Sequence, residues 1–337
     1  MAQAFVAAWT DRIERLACSS NAAMTQPLHR LVFCGTPRFA VPTLSALTAA
    51  GFDVPLVVTQ PDKPRGRGME LAFSPVKQHA LELGLPVVQP EKIKNNAELQ
   101  SQLAALAPEA IIVVGYGRII PQWMIDLPPL GNLNLHASLL PKYRGAAPIQ
   151  WAIASGETVT GVTTMRIDAG LDTGDILLQC EMPIGDADTS ETLAPRLAEV
   201  GAALMVETLQ KLFENNIAAR PQDHSQASLA PILKKEDGQI DFRRPAREIC
   251  NRLRGFQPWP GAFTSFRGKN LHIWKARPLA GVLAPGEIAL GGESGLLAGC
   301  GESSTLEIME LQLEGKKRMP ARDFVHGYRP RPQEFFG

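Results

Sequence analysis

From Ala110 to Val114 the chain runs through five consecutive apolar residues, Ala-Ile-Ile-Val-Val. A run this short and this rich in β-branched side chains predicts a strand. A strand apolar at every position must be covered on both faces, as in a parallel sheet wrapped by helices. The flanking sequence repeats the theme. Leu31-Val32-Phe33-Cys34-Gly35 reads as a first strand closed by a Gly turn, Val54 to Thr59 as a second, and Gly131 to His136 as a further one. Helical patterns run between them, from Ala40 to Ala50, Ser74 to Leu83 and Ala97 to Leu106, with Gly51 and Gly84 just past two of their ends. This alternation predicts a mostly parallel, doubly wound, Rossmann-like α/β domain.

A long helical stretch, Ser190 to Phe213, ends that pattern. Asn215 to Pro231 is polar, carries two prolines, and predicts a linker. Beyond it, short runs at Ala262–Phe266, Leu271–Trp274, Gly286–Leu290 and Thr305–Ile308, parted by Gly-containing turns, predict a small OB-like β-barrel. The expected boundaries are therefore 28–214 for the first domain, 215–231 for the linker and 232–337 for the barrel. Residues 1–27 precede both as an extension, expected to be peripheral or disordered. Its apolar run Phe5–Ala8 is too short for a signal-peptide core, and Asp11 and Glu14 argue against a transit sequence. Met24, just before the first strand, is a candidate start; a functional extension is the competing reading.

The chain has 337 residues, of which 45 % are apolar and 20 % charged, enough for each of two domains to bury a core. Lys plus Arg and Asp plus Glu balance at 34 each, which excludes a surface that is basic all over. A local basic face remains open, because from Lys234 onward 17 Lys plus Arg stand against 12 Asp plus Glu. The five cysteines are scattered without zinc-ligand spacing, as in a protein of the reducing cytoplasm. No apolar run reaches the roughly 18 residues that span a bilayer, so no membrane association is expected. The six histidines show no H-E-x-x-H spacing, and no metal is expected. Gly35-Thr36-Pro37 lacks the glycine fingerprint of a dinucleotide-binding dehydrogenase, and there is no phosphate-binding P-loop.

Parallel sheets bind ligands at the carboxyl ends of their strands. That rule selects Gly35-Thr36-Pro37, Thr59-Gln60-Pro61, Gly115-Tyr116-Gly117 and His136-Ala137-Ser138. Asn134 and His136 alternate along one strand and so share a side. The loop Asp168 to Asp175, with three carboxylates and two glycines, lies between strand-like runs Val162–Ile167 and Ile176–Cys180 and can return an acid to the imidazole. Amide, imidazole and carboxylate together suit the addition of an amine to a carbonyl. The amide N–H can donate to the oxyanion, the imidazole can shuttle a proton, and the acid can orient the imidazole. A structural histidine beside an Asp-Gly turn is the alternative. No Ser or Cys stands in a nucleophile elbow, so a covalent acyl-enzyme is not indicated. The polar stretch Thr59 to Gly68 holds Lys63, Arg65 and Arg67. It is either a surface loop or a mobile basic flap that closes on a phosphate-bearing substrate.

The order of these motifs resembles the folate-dependent formyltransferase family, and within it the methionyl-tRNA branch, from about Leu28 to near the C-terminus. The marks are Phe33-Cys34-Gly35-Thr36-Pro37, Gln60-Pro61-Asp62, Gly66-Arg67-Gly68, Asn134-x-His136-x-Ser138-Leu139-Leu140-Pro141, Arg144 through Gln150, Asp168 through Gly174, and Gly255-Phe256-Gln257-Pro258-Trp259-Pro260. The His-to-Pro block marks the wider family; the basic flap and Ala146-Ala147-Pro148-Ile149-Gln150 narrow it to the tRNA branch. The resemblance implies transfer of a formyl group from 10-formyltetrahydrofolate to the α-amino group of initiator methionyl-tRNA, by a monomer. Asn134, His136 and Asp172 fall on catalytic positions. Ser138, Leu139, Leu140 and Pro141 fall on the folate-binding turn, and Tyr116, Gly117, Arg118 and Ile119 on the segment lining the pterin pocket. Lys63, Arg65 and Arg67 fall on the loop that engages the tRNA acceptor end, and the barrel on a tRNA-binding domain. Ala137 stands where some members have Gly, and Met69-Glu70 where lysines are frequent, which weakens the flap's charge. A formyltransferase acting on a sugar-nucleotide amine and an inactive RNA-binding relative are the alternatives.

Overall fold

The computed structural model describes residues 28–65, 70–331 and 333–337. The extension 1–27, with Met24, lies outside the described residues. Two compact units make up the chain. One takes the chain up to Pro148, then Val159–Pro183 and Ala194–Ala230; the other takes Ile149–Thr158, Ile184–Leu193 and Pro231–Gly337.

In chain order, the elements up to the last helix shared with the first unit are β1 (Arg30–Gly35), α1 (Val41–Ala49), β2 (Asp53–Val58), β3 (Lys63–Arg65), β4 (Glu70–Ala72), α2 (Pro75–Glu82), β5 (Val87–Val88), α3 (Ala97–Leu106), β6 (Ala110–Val114), α4 (Gln122–Ile125), β7 (Asn132–His136), α5 (Pro148–Ala154), β8 (Val159–Arg166), β9 (Ile176–Pro183) and α6 (Ser190–Phe213). Local chemistry sets several of the ends. Ser74 caps α2 by accepting from the Lys77 amide at 3.1 Å, with Pro75 next in line where its missing N–H costs nothing. Asn96 caps α3 in the same way, accepting from the Leu99 amide at 2.9 Å.

A seven-stranded sheet runs in the order β5-β2-β1-β6-β7-β8-β9. Pairing is parallel from β5 through β7 and antiparallel across β7-β8-β9. The mostly parallel reading is therefore met. Only β8 runs against the other strands, and the short loop that joins it directly to β9 suits their antiparallel pairing. Every residue of β6 is buried, as its unbroken apolar run demands. On one face Val32, Cys34, Leu56, Val58, Ile111 and Val113 pack with Leu99 and Leu103 of α3 and Met124 of α4. The alternate residues Leu31, Phe33, Val57 and Ile112 are buried as well. Each such side chain contributes about 1.5–3 kcal/mol by leaving water.

The strand order reverses between β1 and β6, so their carboxyl ends open a crevice at the switch point. The two turns that leave it touch. Thr36 Oγ1 donates to the Tyr116 carbonyl at 3.2 Å, and a Cβ on Gly115 would lie 2.8 Å from Pro37. Beside this crevice β3 and β4 form a hairpin, with Lys63 opposite Ala72 and Arg65 opposite Glu70. The stretch read as either a surface loop or a mobile basic flap thus has a strand-paired base. Arg67 lies outside the described residues.

The second unit carries α7 (Ala246–Gly255), β10 (Ala262–Phe266), β11 (Lys269–Ala280), β12 (Ile288–Ala289), β13 (Leu297–Cys300), β14 (Ser304–Leu313), β15 (Met319–Pro320) and α8 (Ala321–Tyr328). Its sheet is antiparallel, ordered β10-β11-β14-β13-β12 with β15 on β14. Ile249 and Leu253 of α7 and Phe324 of α8 close its core over Leu271, Ile273, Leu306 and Ile308. Among the described residues no cysteine forms a disulfide and no helix is long and apolar enough to cross a membrane.

Candidate active site

Strand β7 sets the site because its alternation sends Asn132, Asn134 and His136 to one side. Asn132 is structural: buried, its amide donates to the Met124 carbonyl at 2.7 Å. Two residues on, half-buried Asn134 makes no side-chain hydrogen bond within the described residues, which leaves its N–H groups available to a ligand.

His136, 5 % exposed, ends the strand. Its Nε2 lies 2.8 Å from the Tyr143 carbonyl. A carbonyl only accepts, so Nε2 carries the proton and donates. That fixes the ring and leaves Nδ1 as the nitrogen open to chemistry. The Asp172 carboxylate stands 3.7 Å from Nδ1, too long for a hydrogen bond. Asp172 is itself held, because its Oδ2 accepts from the Gly145 amide at 2.8 Å. Both Tyr143 and Asp172 adopt left-handed backbone angles, φ +61° and +51°. Each such residue costs about 1–2 kcal/mol that surrounding bonds must offset.

The loop expected to carry the acid back does so, and its other polar groups close it. Asp168 accepts from the Gly170 amide at 3.0 Å and from Thr173 Oγ1 at 2.7 Å. A Cβ on Gly174 would sit 2.0 Å from the Arg166 carbonyl, so only glycine fits there. Of the three carboxylates, Asp172 is the one brought to the imidazole.

The turn Ser138–Pro141 follows directly. The Ser138 hydroxyl donates to the Lys142 carbonyl at 2.6 Å, and buried Thr163 of β8 donates to the Ser138 carbonyl at 2.7 Å. Thr163 Oγ1 also accepts from the Leu140 amide at 3.2 Å, while Gln179 of β9 donates to the Leu140 carbonyl at 2.9 Å. Leu140 is buried, Leu139 partly so, and the Leu140–Pro141 peptide is cis.

The four residues from Tyr116 to Ile119 do not act alike. Tyr116 is 1 % exposed and packs in the core cluster of β1, β2 and β6, where burial pushes its phenol up to about 12. What it offers the crevice is its carbonyl, which accepts from Gln60 Nε2 at 2.7 Å. Gly117, at φ +73°, turns the chain. Arg118 donates to the Glu91 carbonyl, and Ile119 is 91 % exposed. Lys63 reaches back to Gln60 Oε1 at 3.1 Å, so Gln60 joins the hairpin base to this turn. Arg65 ends β3.

Sequence reasoning missed Thr163, Gln179 and Gln222, because single polar residues on strands or in a polar stretch carry no spacing signal. Gln222, buried, belongs to the segment read as a linker, yet its amide donates to the carbonyls of Asp172 and Gly174 at 2.9 and 2.7 Å. No group of three or more metal-ligating side chains occurs among the described residues.

Comparison with known proteins decides the family. The Formyl transferase model matches residues 29–209 and the Formyl transferase, C-terminal domain model matches 232–329. A methionyl-tRNA formyltransferase of Koribacter versatilis is 71 % identical over 307 residues, covering 91 % of this chain and 98 % of its own. The chain belongs to the methionyl-tRNA formyltransferase family. A second such formyltransferase, from Acidobacterium capsulatum, is 63 % identical and covers 91 % of this chain and 99 % of its own. Among solved structures, a sugar 3N-formyl transferase crystallised with dTDP and 5-N-formyl-THF shares the fold at TM-score 0.63. It is 20 % identical and covers 87 % of this chain and 100 % of its own. A formyltransferase sheet thus underlies the site, with Asn134 and His136 at its rim.

Proposed function

We propose that this chain transfers the formyl group of 10-formyltetrahydrofolate to the α-amino group of methionyl-tRNA in the cytoplasm, with Asn134, His136 and Asp172 as its catalytic residues. The observation that carries this reading is the Asp172 carboxylate set 3.7 Å from the free Nδ1 of His136, whose other nitrogen is tied to the Tyr143 carbonyl. Relatives bearing the same name at 71 % and 63 % identity support the choice of substrates.

The residues divide the work by their atoms. A neutral amine adds to the formyl carbon, and negative charge grows on the formyl oxygen. The Asn134 amide, which makes no side-chain hydrogen bond among the described residues, donates to that oxygen. A donor aimed at developing charge is worth about 2.7–4 kcal/mol of barrier. His136 donates a second bond through protonated Nδ1 and passes that proton to the departing folate nitrogen as the old C–N bond breaks. Asp172 stabilises the imidazolium and, through water, takes the proton that the new amide must lose. The Ser138–Pro141 turn and the backbone of Tyr116 and Gly117 hold the folate, their carbonyls and amides being fixed by Thr163, Gln179 and Gln60. The β3–β4 hairpin, with Lys63, Arg65 and Arg67, meets the acceptor end of the tRNA, and the second unit binds the tRNA body.

The test is direct. Purified protein, 10-formyltetrahydrofolate and methionyl-tRNA are incubated, the aminoacyl ester is hydrolysed, and formyl-methionine is sought. Formyl-methionine appearing in proportion to enzyme is the expected result. Its absence, with formylation of a dTDP-amino sugar offered in parallel, would move the chain to the sugar-acting class.

A further inference from the structure

The Asp172 loop rests on a buried device supplied from residues 220–230. Gln222 sits at its centre, and all four of its amide's hydrogen-bonding positions are used. Arg144, 6 % exposed, donates to Gln222 Oε1 from Nε at 3.1 Å and from Nη2 at 2.6 Å. The same Nη2 donates to His224 Nδ1 at 3.1 Å, and no carboxylate is among these partners. A guanidinium only donates, so the Gln222 atom facing it is the oxygen. The nitrogen must then face the carbonyls of Asp172 and Gly174, which only accept, at 2.9 and 2.7 Å.

The surrounding backbone repeats the stitch. Arg220 and Ile176 exchange amide–carbonyl bonds at 2.8 Å, closing the far end of the Asp172 loop. On the other side the Arg144 amide donates to the Ser228 carbonyl at 2.8 Å and the Ala230 amide to the Arg144 carbonyl at 2.7 Å. Ser228 Oγ accepts from the Tyr143 amide at 2.9 Å. Tyr143 supplies the carbonyl that holds His136, and Gly145 the amide that holds Asp172. One short segment therefore grips both loops whose backbone fixes the imidazole and the acid.

We infer that Gln222, clamped by the Arg144 guanidinium, is a positioning residue of the reaction: its amide holds the Asp172 backbone in the left-handed conformation that delivers the carboxylate to His136. This rests on the proposed role of Asp172. Arg144 orients the Gln222 amide. That amide pins the carbonyls on both sides of Thr173, and the carboxylate of Asp172 keeps its distance from Nδ1 as a result. Small displacements at this depth matter, because misplacing a catalytic group by about 1 Å costs on the order of 100-fold in rate.

Two variants test it. Gln222→Met keeps the length and removes every polar atom; Gln222→Glu keeps an oxygen for Arg144 and removes the N–H donors. Each is checked for folding by circular dichroism, and the glutamate form, with the guanidinium paired, keeps the test open if the methionine form does not fold. Expected is a fall in kcat of about 100-fold, with KM for methionyl-tRNA and for 10-formyltetrahydrofolate unmoved. The Gly145 amide resonance in a proton–nitrogen spectrum should move upfield as its bond to Asp172 loosens. A folded variant with wild-type kcat, or with the Gly145 resonance in place, overturns the inference, and a lowered melting temperature alone counts as the same outcome. The spectrum is recorded without substrates. If the wild type fails to formylate methionyl-tRNA, the functional reading falls separately from what that resonance says about Gln222.

Discussion

The rim of the sheet and the basic hairpin beside it are built on opposite plans. At the rim, His136 is 5 % exposed and held by a backbone carbonyl, and the turn after it is fixed by the buried Thr163 hydroxyl. The hairpin has two strands of three residues each, secured at the base by side chains that keep some contact with water. Lys77 Nζ donates to Asp62 and to Gln89 Oε1, the latter at 2.6 Å, and lies 4.0 Å from the Phe73 ring centroid. Gln89 returns a bond to Asp62 Oδ1 at 2.7 Å. Bond-making chemistry needs groups fixed to a fraction of an ångström, which buried backbone partners provide. A surface that receives a large polyanion needs charge and freedom to adjust, and solvent-accessible side-chain bonds open at less cost. On the proposed reading, chemistry and docking would fall to a stiffer and a looser part of one unit.

The largest effect should come from the rim. Asn134→Ala and His136→Ala are each expected to lower kcat by about 100- to 1,000-fold, the usual cost of removing one donor to a developing oxyanion. Both should leave the far-ultraviolet circular dichroism spectrum unchanged. Single-turnover rates with saturating methionyl-tRNA provide the measurement. Near-normal turnover in either variant would break the contrast, because the stiff part would then not be where the bond is made.

How far the chain announced this arrangement depends on which force set each part. The helix Ala97–Leu106, the strand Ala110–Val114 and the long helix Ser190–Phe213 lie where periodicity placed them, since apolar spacing is what their burial responds to. The Asn134–His136 alternation was equally legible, as it follows from the strand repeat. Helix α7 carries its own signal in the spacing of Ala246, Ile249, Cys250 and Leu253, although strand-like runs surround it. Gln222 and Thr163 could not be read in advance. Their value comes from carbonyls about 50 and 25 residues away, and no local pattern encodes a partner at that distance. Tyr116 shows the converse: a motif match named the residue, and the structure buries its ring in the core and turns its carbonyl to Gln60.

A middle-sized effect should come from the basic segment that follows β3. Arg67→Ala is expected to raise KM for methionyl-tRNA by about 10-fold, the lower end for one charge-assisted hydrogen bond to phosphate. The Kd for 10-formyltetrahydrofolate should not change, and the tRNA effect should shrink as salt is added. Fluorescence titration with each substrate separates the two. Equal weakening of both would mean that the hairpin and the folate crevice act as one body, and the comparison between loose and stiff parts would have to be redrawn.

The smallest effect is a pH dependence at the hairpin base. The Lys77 ammonium, and after it the Gln89 amide, hold the Asp62 carboxyl below its ordinary range, against the opposing influence of burial. A carboxylate whose folded-state pKa is depressed contributes stability above its unfolded-state pKa, and that contribution is lost as pH falls through the lower folded value. Wild type should therefore melt above Asp62→Asn at pH 7, by no more than about 2–4 °C, and the gap should close as pH drops below the usual carboxylate range. Thermal melts of both proteins across that range measure it. Since Asp62 is only partly shielded from water, added salt should narrow the gap as well. A gap that persists at low pH would show that Asp62 acts through packing and not through its charge. The base of the hairpin would then be a rigid joint like the rim, and the contrast between the two would be lost.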